Sequence, residues 1–116
     1  MDQQTLQIIL PQELLAQTLQ MKQDGYRLVA ITCTNKNGME LTYTFDKDYR
    51  IVHLRFTIDA SQEIESISSF YSFAFLYENE IKELFGVAIK NISVDFNNHL
   101  YKISVPTPFN LKKENE

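Results

Sequence analysis

The sequence predicts a single α+β domain in which an N-terminal helix covers an antiparallel β-meander and a second, short helix follows the sheet. Three stretches between residues 29 and 58 alternate apolar with polar side chains, which is typical of strands that bury one face. Two other stretches repeat apolar residues at three- and four-residue steps, which is typical of helices that bury one side. A chain of 116 residues has the length of one domain.

The N-terminal part predicts a strand followed by a helix. An apolar run over residues 6–10 predicts the strand. Pro11 follows where a helix can start, because the N–H group that proline lacks would have no partner in the first turn. The helix is predicted over residues 11–23 and ends before Gly25. Its apolar side is expected to cover the sheet and consists of Leu14, Leu15, Thr18 and Leu19.

The β-meander carries the clearest local signals in the chain. Asn37 and Gly38 predict a tight hairpin turn, because both residue types tolerate the positive φ angles that such turns need. Lys47 and Asp48 predict the second turn. The side chains expected on the buried face are Val29, Ile31 and Cys33 in the first strand, Met39, Leu41, Tyr43 and Phe45 in the second, and Val52, Leu54, Phe56 and Ile58 in the third.

The segment after the meander predicts a loop and then a second helix. Residues 61–69 are polar and are expected to form the loop, and residues 70–77 are rich in aromatic side chains. The helix is predicted over residues 77–85, with Glu78 on its outer side four residues before Lys82.

The C-terminal part begins at Gly86, which is predicted to end the helix in a left-handed conformation. An alternating stretch over residues 92–96 predicts a last strand, and residues 101–105 are expected to pair back against it. The domain is predicted to span residues 1–109, and residues 110–116 are predicted to form a flexible tail.

The composition argues against several function classes. Eleven basic against fifteen acidic residues give a net charge of −4, which disfavours nucleic acid because Lys and Arg supply most phosphate contacts. Cys33 is the single cysteine, so an internal disulfide and a cysteine-ligated iron–sulfur cluster are both excluded. The sequence shows no signal peptide and no apolar stretch long enough to span a bilayer. A cytoplasmic domain that binds no cofactor is expected.

Three groups of side chains are suited to catalysis, and each has a simpler structural interpretation. His53 and Arg55 could bind an anion, but they lie on the polar face of a strand, where solvated side chains are common. Cys33 lies on the buried face, where free cysteines act as small apolar residues. The acids of the second helix do not all share one face and suit the N-terminal half of a helix through its dipole; they are Glu78, Glu80 and Glu83.

The second helix and the residues before it form a motif. It begins with a small and an aliphatic residue, an aromatic pair and an alanine. An aromatic residue, two glutamates and an aliphatic residue follow. It ends with an acid, an aliphatic–aromatic pair, a glycine and an aliphatic residue. The residues at those places are Ile67, Phe70, Tyr71, Ala74, Tyr77, Glu78, Glu80, Ile81, Glu83, Leu84, Phe85, Gly86 and Val87. This pattern resembles the 30 kDa subunit family of respiratory NADH dehydrogenase (complex I) and is similar to the small subunits of energy-converting, Ech-type membrane hydrogenases.

The sequence departs from that family in three respects. The arginine of the family motif is replaced by Asn79, and residues 90–92 stand near the place of its Gly-His-Pro. The long charged tail that wraps the partner in the respiratory enzyme has no counterpart here, so the chain is closest in size to the hydrogenase-type subunits.

The resemblance implies a non-catalytic structural subunit that docks on the large catalytic subunit of a hydrogenase or NADH dehydrogenase complex. Such a subunit would be cytoplasmic, attached peripherally to the membrane through the complex, and would carry no redox centre. The aromatic surplus before the second helix favours a contact surface, since exposed aromatic area often marks a partner site. The residues expected to bind the partner are Phe70, Tyr71, Tyr77, Glu78, Glu80, Glu83 and Phe85.

Two other interpretations stay open at this point. A small acidic secretion-type chaperone, or another protein-binding module, would fit the size and charge but gives no reason for the motif. A small hydrolase that uses His53 and Arg55 would need a nucleophile beside them, and the sequence indicates none. Neighbouring genes for hydrogenase or dehydrogenase subunits would favour the first interpretation.

Overall fold

The computed structural model describes residues 3–97 and confirms the α+β class. Its main sheet has the strand order β1-β4-β3-β2, and a smaller sheet pairs β5 with β6. The strands are β1 (Gln3–Ile8), β2 (Arg27–Asn35), β3 (Met39–Lys47), β4 (Arg50–Ile58), β5 (Glu63–Glu65) and β6 (Ala88–Lys90). A 3-10 turn (Pro11–Glu13) leads into helix α1 (Leu14–Gln23), and helix α2 (Ala74–Phe85) precedes β6.

The antiparallel meander β2-β3-β4 is confirmed. Its first turn contains Asn37 with φ 49° and Gly38 with φ 116°. A side chain at Gly38 would also approach the carbonyl oxygen of Ile58 to 3.0 Å, so glycine is required there. The second turn lies one residue later than predicted: Asp48 and Tyr49 both have positive φ, as a two-residue hairpin loop of this twist requires.

Strand β1 differs from the prediction in position, and its pairing was not predicted. It ends at Ile8 rather than at residue 10 and lies parallel to β4 at one edge of the sheet. The strand stops because Ile9 turns into the core and the N–H group of Leu10 donates a hydrogen bond to the Glu13 carboxylate at 2.8 Å. That bond closes the turn that starts α1.

Helix α1 covers the predicted residues but buries a different stripe of side chains. Leu14, Thr18 and Met21 are buried, whereas Leu15 and Leu19 are exposed, so their predicted place on the buried side was wrong. The buried residues recur at steps of four and three, and Met21 takes the place that the prediction gave to Leu19.

The core lies between the inner face of the sheet and both helices. Tyr43 stacks on Phe56 with ring centroids 5.8 Å apart, and both belong to the buried cluster that holds the sheet against the helices. The predicted inner face is correct except at Val29, because a β-bulge between Leu28 and Ala30 shifts the register and leaves Val29 exposed. Helix α2 shares the cover with α1, which the sequence alone did not predict.

Two further predictions for the second half were wrong. Part of the expected loop at 61–69 forms β5, which pairs in parallel with β6 and buries Ile64 against Ile89. Residues 92–96 form no strand, because their backbone groups bond to side chains of α2 and of residue 68 instead of to a neighbouring strand. The predicted pairing of residues 101–105 and the domain boundary after residue 109 lie outside the described residues.

Helix α2 begins three residues earlier than predicted and ends as expected. Ala74 is its first residue. Gly86 has φ 74° and ψ 18°, and its N–H group bonds to the carbonyl oxygen of Lys82, which confirms the left-handed cap.

Candidate interaction site

The seven predicted partner-binding residues lie in α2 and the turn before it, and not all of them are exposed. Glu78 and Glu83 are buried. The others are partly exposed and are Phe70, Tyr71, Tyr77, Glu80 and Phe85. The expectation that Glu78 lies on the solvated side of the helix was therefore wrong, and its carboxylate has an internal role.

Glu78 ties α2 to the segment that follows β5. Its Oε1 atom accepts a hydrogen bond of 2.6 Å from the Ser66 hydroxyl, and its Oε2 atom accepts one of 2.8 Å from the N–H group of Ile67. Both carboxylate oxygens are thus satisfied away from water, which is what a buried carboxylate needs in order to be tolerated.

A chain of hydroxyl groups extends this network to the segment after β6. The single hydroxyl hydrogen of Ser66 is donated to Glu78, so in the 2.7 Å contact between the two serines the hydroxyl of Ser68 must be the donor. Ser68 in turn accepts the N–H group of Ser93 at 2.9 Å. The hydrogen bonds therefore all point toward Glu78, and the carboxylate terminates them as an acceptor.

Burial dominates the protonation of Glu78. It raises the pKa of this carboxyl group to about 6, although the hydrogen bonds from Ser66 and Ile67 favour the ionised form. Burial also raises the pKa of the Tyr43 hydroxyl well above its ordinary value, and the charge of Glu78 adds to that rise. Tyr43 remains a neutral phenol at physiological pH.

Two tyrosines bind the α2 region to the β2 region. Tyr71, in the turn before α2, bonds to the residue that precedes β2, and Tyr77, in α2, bonds to β2 itself. The hydroxyl of Tyr71 donates to the carbonyl oxygen of Tyr26 at 2.8 Å, and that of Tyr77 donates to the carbonyl oxygen of Val29 at 2.9 Å. The ring of Tyr71 also packs on Phe45, with centroids 5.6 Å apart. These two aromatic residues hold the helix in place.

Asn79 makes the contacts that replace a strand at residues 92–96. Its amide nitrogen donates to the carbonyl oxygens of Phe75 and Val94 at 2.7 and 2.8 Å. Its amide oxygen accepts the N–H group of Phe96 at 2.9 Å. A carboxamide suits this place because it offers donors and an acceptor together, and an arginine offers donors alone. The departure from the family motif at this residue thus has a structural reason.

The most exposed apolar side chains of this region were missed by the sequence interpretation. Phe73 is 74% exposed and Leu76 is 45% exposed. We call this pair the α2 rim. The signal was their three-residue spacing, which became visible only once the helix was known to begin at Ala74 and not at Tyr77.

A surface pocket of about 490 Å³ lies beside the α2 rim. The ammonium group of Lys22 lies at its edge, 5.2 Å from the centre of the Tyr71 ring. Its lining combines aromatic and aliphatic side chains with two cations and includes Lys22, Arg27, Leu28, Tyr71, Phe73 and Tyr77. Such a mixture suits an apolar side chain flanked by an acid.

The other candidates for chemistry have structural partners. Both ring nitrogens of His53 are engaged, at 2.9 Å from the Thr44 hydroxyl and 3.0 Å from the Gln4 side chain. Arg55 bonds to the Thr42 hydroxyl at 2.9 Å. Burial raises the pKa of the Cys33 thiol to about 12, so this cysteine is not a thiolate nucleophile.

Neither a metal cluster nor a membrane span is found between residues 3 and 97. No three His, Cys, Asp or Glu side chains in this part of the chain converge to hold a metal ion. No helix in the same range is both long and apolar enough to cross a bilayer.

Comparison with known proteins accounts for the motif around α2. The family model of the respiratory-chain NADH dehydrogenase 30 kDa subunit matches residues 9–110 of this chain. The chain belongs to this family. The match extends well beyond the motif and includes the meander and α1, and it makes the chain a member of a family of respiratory-complex subunits.

A solved structure shares the fold of this chain. A chain of the membrane-bound sulfane sulfur reductase, an archaeal respiratory membrane complex, is similar with a TM-score of 0.67 and 17% sequence identity. The likeness covers 78% of this chain and 59% of that chain, so this chain spans little more than half the length of its structural relative. No curated protein matches the sequence.

Proposed function

We propose that this chain is a non-catalytic structural subunit of a membrane-associated hydrogenase or NADH dehydrogenase complex and docks on the large catalytic subunit. Membership of the 30 kDa subunit family supports an accessory role in such a complex. The observation that carries the docking proposal is the exposed α2 rim beside the family motif. The subunit would be cytoplasmic and would reach the membrane only through the complex.

The α2 rim is the most suitable docking surface in the motif region. Exposed aromatic and aliphatic side chains gain most from burial at the centre of an interface. Phe73 and Leu76 have this exposure, whereas Tyr71 and Tyr77 use their hydroxyl groups to bond the backbone at Tyr26 and Val29. The pocket beside Phe73 would receive a side chain of the large subunit.

The buried residues of the motif prepare that surface. Glu78 and Asn79 fix α2 to two separate segments, residues 66–67 and 94–96, through hydrogen bonds that leave none of their polar atoms unused. A helix that is rigid before binding loses less conformational entropy when the partner arrives. Glu78 then acts by bracing the helix, and the apolar side chains of the rim make the contact.

Co-purification of the full chain with the large subunit tests this proposal. Phe73→Asp and Leu76→Asp place a charge in the proposed contact without touching the internal network, and each should abolish co-purification. Tyr49→Asp is the matched control, because Tyr49 is 78% exposed and lies in the turn between β3 and β4. Circular dichroism should be unchanged in all three variants.

Two results would contradict the proposal. If both rim variants co-purify with the large subunit as well as the wild type does, the α2 rim is not part of the interface. Loss of binding on His53→Ala or Arg55→Ala, with the rim variants unaffected, would move the docking surface to the outer face of the sheet. That face holds the side-chain pairs formed by His53 with Thr44 and by Arg55 with Thr42.

A further inference from the structure

Strand β1 is an exposed edge of the main sheet. All six of its residues are exposed, and its sequence contains no charged side chain. Leu6 and Ile8 are 49% and 71% exposed although both are aliphatic. Natural sheets usually protect an edge with charge, proline, a bulge or a covering segment, because unpaired backbone groups recruit other strands.

The register shows which backbone groups of β1 are available. The N–H group of Gln3 donates to the carbonyl oxygen of Tyr49, in the turn before β4. The N–H group of Ile9 donates to the carbonyl oxygen of Arg55, in β4. Alternate residues of a strand face the same neighbour, so the even-numbered residues direct their N–H and C=O groups away from β4. These residues are Gln4, Leu6 and Ile8, and their backbone groups bond to no other described residue.

The opposite edge of the sheet, β2, is protected in three ways. Arg27 places a charge at its start, in an ion pair with Asp46. A bulge interrupts its register between Leu28 and Ala30. The Tyr77 hydroxyl donates a hydrogen bond to the carbonyl oxygen of Val29, which is then less available to another strand. Between the two edges of the main sheet, β1 is the one without a charged residue or a register shift.

We propose that β1 pairs in antiparallel orientation with β1 of a second copy of this chain. A two-fold axis at Leu6 places Leu6 opposite Leu6 of the second copy, and Gln4 opposite Ile8 of the second copy. Each residue with outward-facing backbone groups therefore lies opposite another such residue, and the two can exchange hydrogen bonds. Leu6 and Ile8 of both copies then lie on one face, and no charges oppose each other across the axis. This surface is separate from the α2 rim.

The association is reversible rather than obligate. Pairing of one six-residue strand buries far less than the roughly 800 Å² per partner of a standard stable interface. The dimer should therefore dissociate on dilution, and it is a property of the free subunit that does not depend on the proposed docking to a large subunit.

Sedimentation equilibrium and amide exchange of the purified full chain test the proposal together. Dimer should form with rising concentration, and protection should increase at the amides of Leu6 and Ile8. The amides of Thr5 and Gln7 should not change, because they already face β4. Ile8→Lys should weaken dimerisation by about tenfold or more, since a lysine on an edge strand opposes pairing. Val29→Lys, on the protected edge, is the matched control and should have no effect.

Three results would overturn the proposal. A chain that stays monomeric at near-millimolar concentration forms no such dimer. Protection of Leu6 and Ile8 at every concentration would mean that the same chain covers its own edge. A dimer weakened by Val29→Lys and not by Ile8→Lys would use a different surface.

Discussion

The Ser66 hydroxyl donates a 2.6 Å hydrogen bond to the Glu78 carboxylate and thereby joins the end of β5 to the first half of α2. Twelve residues separate the two in the chain, and both are buried. This short contact is one of those that hold the helix beside the α2 rim. The stability of the domain should depend on it.

Ser66→Ala tests that dependence. It leaves Oε1 of a buried carboxylate without its donor, so the free energy of unfolding should fall by about 1.5–3 kcal/mol at pH 7.5. Urea denaturation monitored by circular dichroism measures the change. Ser69→Ala removes an exposed hydroxyl nearby and should cost less than about 0.5 kcal/mol. Equal, small effects of the two substitutions would mean that the contact does not stabilise the fold.

The pH dependence of stability tests the raised pKa of Glu78. The folded state raises this pKa from 4.5 to about 6, so it binds the proton more tightly than the unfolded chain does. Glu78 therefore adds about 2 kcal/mol to the free energy of unfolding below pH 4.5. This contribution is lost as the pH rises through 6.

Comparison with Glu78→Gln isolates this effect from other carboxylates. Asp46 and Asp95 have lowered pKa values through their partners Arg27 and Lys82, so they act in the opposite direction in both proteins. The stability of the wild type minus that of Glu78→Gln should decrease between pH 4.5 and 7. A difference that stays constant over this range would show that Glu78 titrates normally in the folded state.

The left-handed cap at Gly86 gives a third prediction. Gly86→Val forces a β-branched residue to φ 74° and should lower the free energy of unfolding by roughly 1–2 kcal/mol or more. Gly86→Asn should be milder, because asparagine tolerates the left-handed region best among residues with a side chain. Denaturation midpoints measure both. Equal midpoints for all three proteins would contradict a strained cap.

Asn79 gives a fourth prediction. Asn79→Leu keeps the volume but leaves Val94 and Phe96 without their side-chain partners, which should cost about 2–3 kcal/mol. Amide exchange supplies the local readout: the Phe96 amide should lose protection, while the Leu54 amide in the central sheet serves as the internal control. Retained protection at Phe96 in this variant would mean that other contacts hold the segment.

The meander was predictable because its signals are local. Asn37 and Gly38 identify the first turn, and strict alternation fixes the buried face of β3 and β4. Pairing that depends on distant residues was not predictable: β1 lies beside β4, and β5 lies beside β6, across stretches that contain other elements. The bulge at Val29 likewise leaves no mark in the alternation pattern.

The predicted partner-binding surface stays a prediction, but the burial of Glu78 and Glu83 changes the roles of two of its side chains. A glutamate on a helix normally faces solvent, and only the serine and backbone donors near residue 66 make the burial of Glu78 tolerable. The start of α2 was set three residues too late, so Leu76 fell outside the predicted helix and Phe73 was not recognised as the residue directly before it. The family resemblance identified the region, and only the folded structure separates bracing residues from exposed ones.

Photo-crosslinking in the assembled complex tests the central claim most directly. A photoreactive amino acid would replace Phe73 in one variant and the equally exposed Tyr49 in the other. Our account predicts that residue 73 forms a crosslink to the large catalytic subunit of a hydrogenase or NADH dehydrogenase complex and that residue 49 forms none to it. A crosslink from residue 49 alone, or none from residue 73 in an intact complex, would contradict docking through the α2 rim.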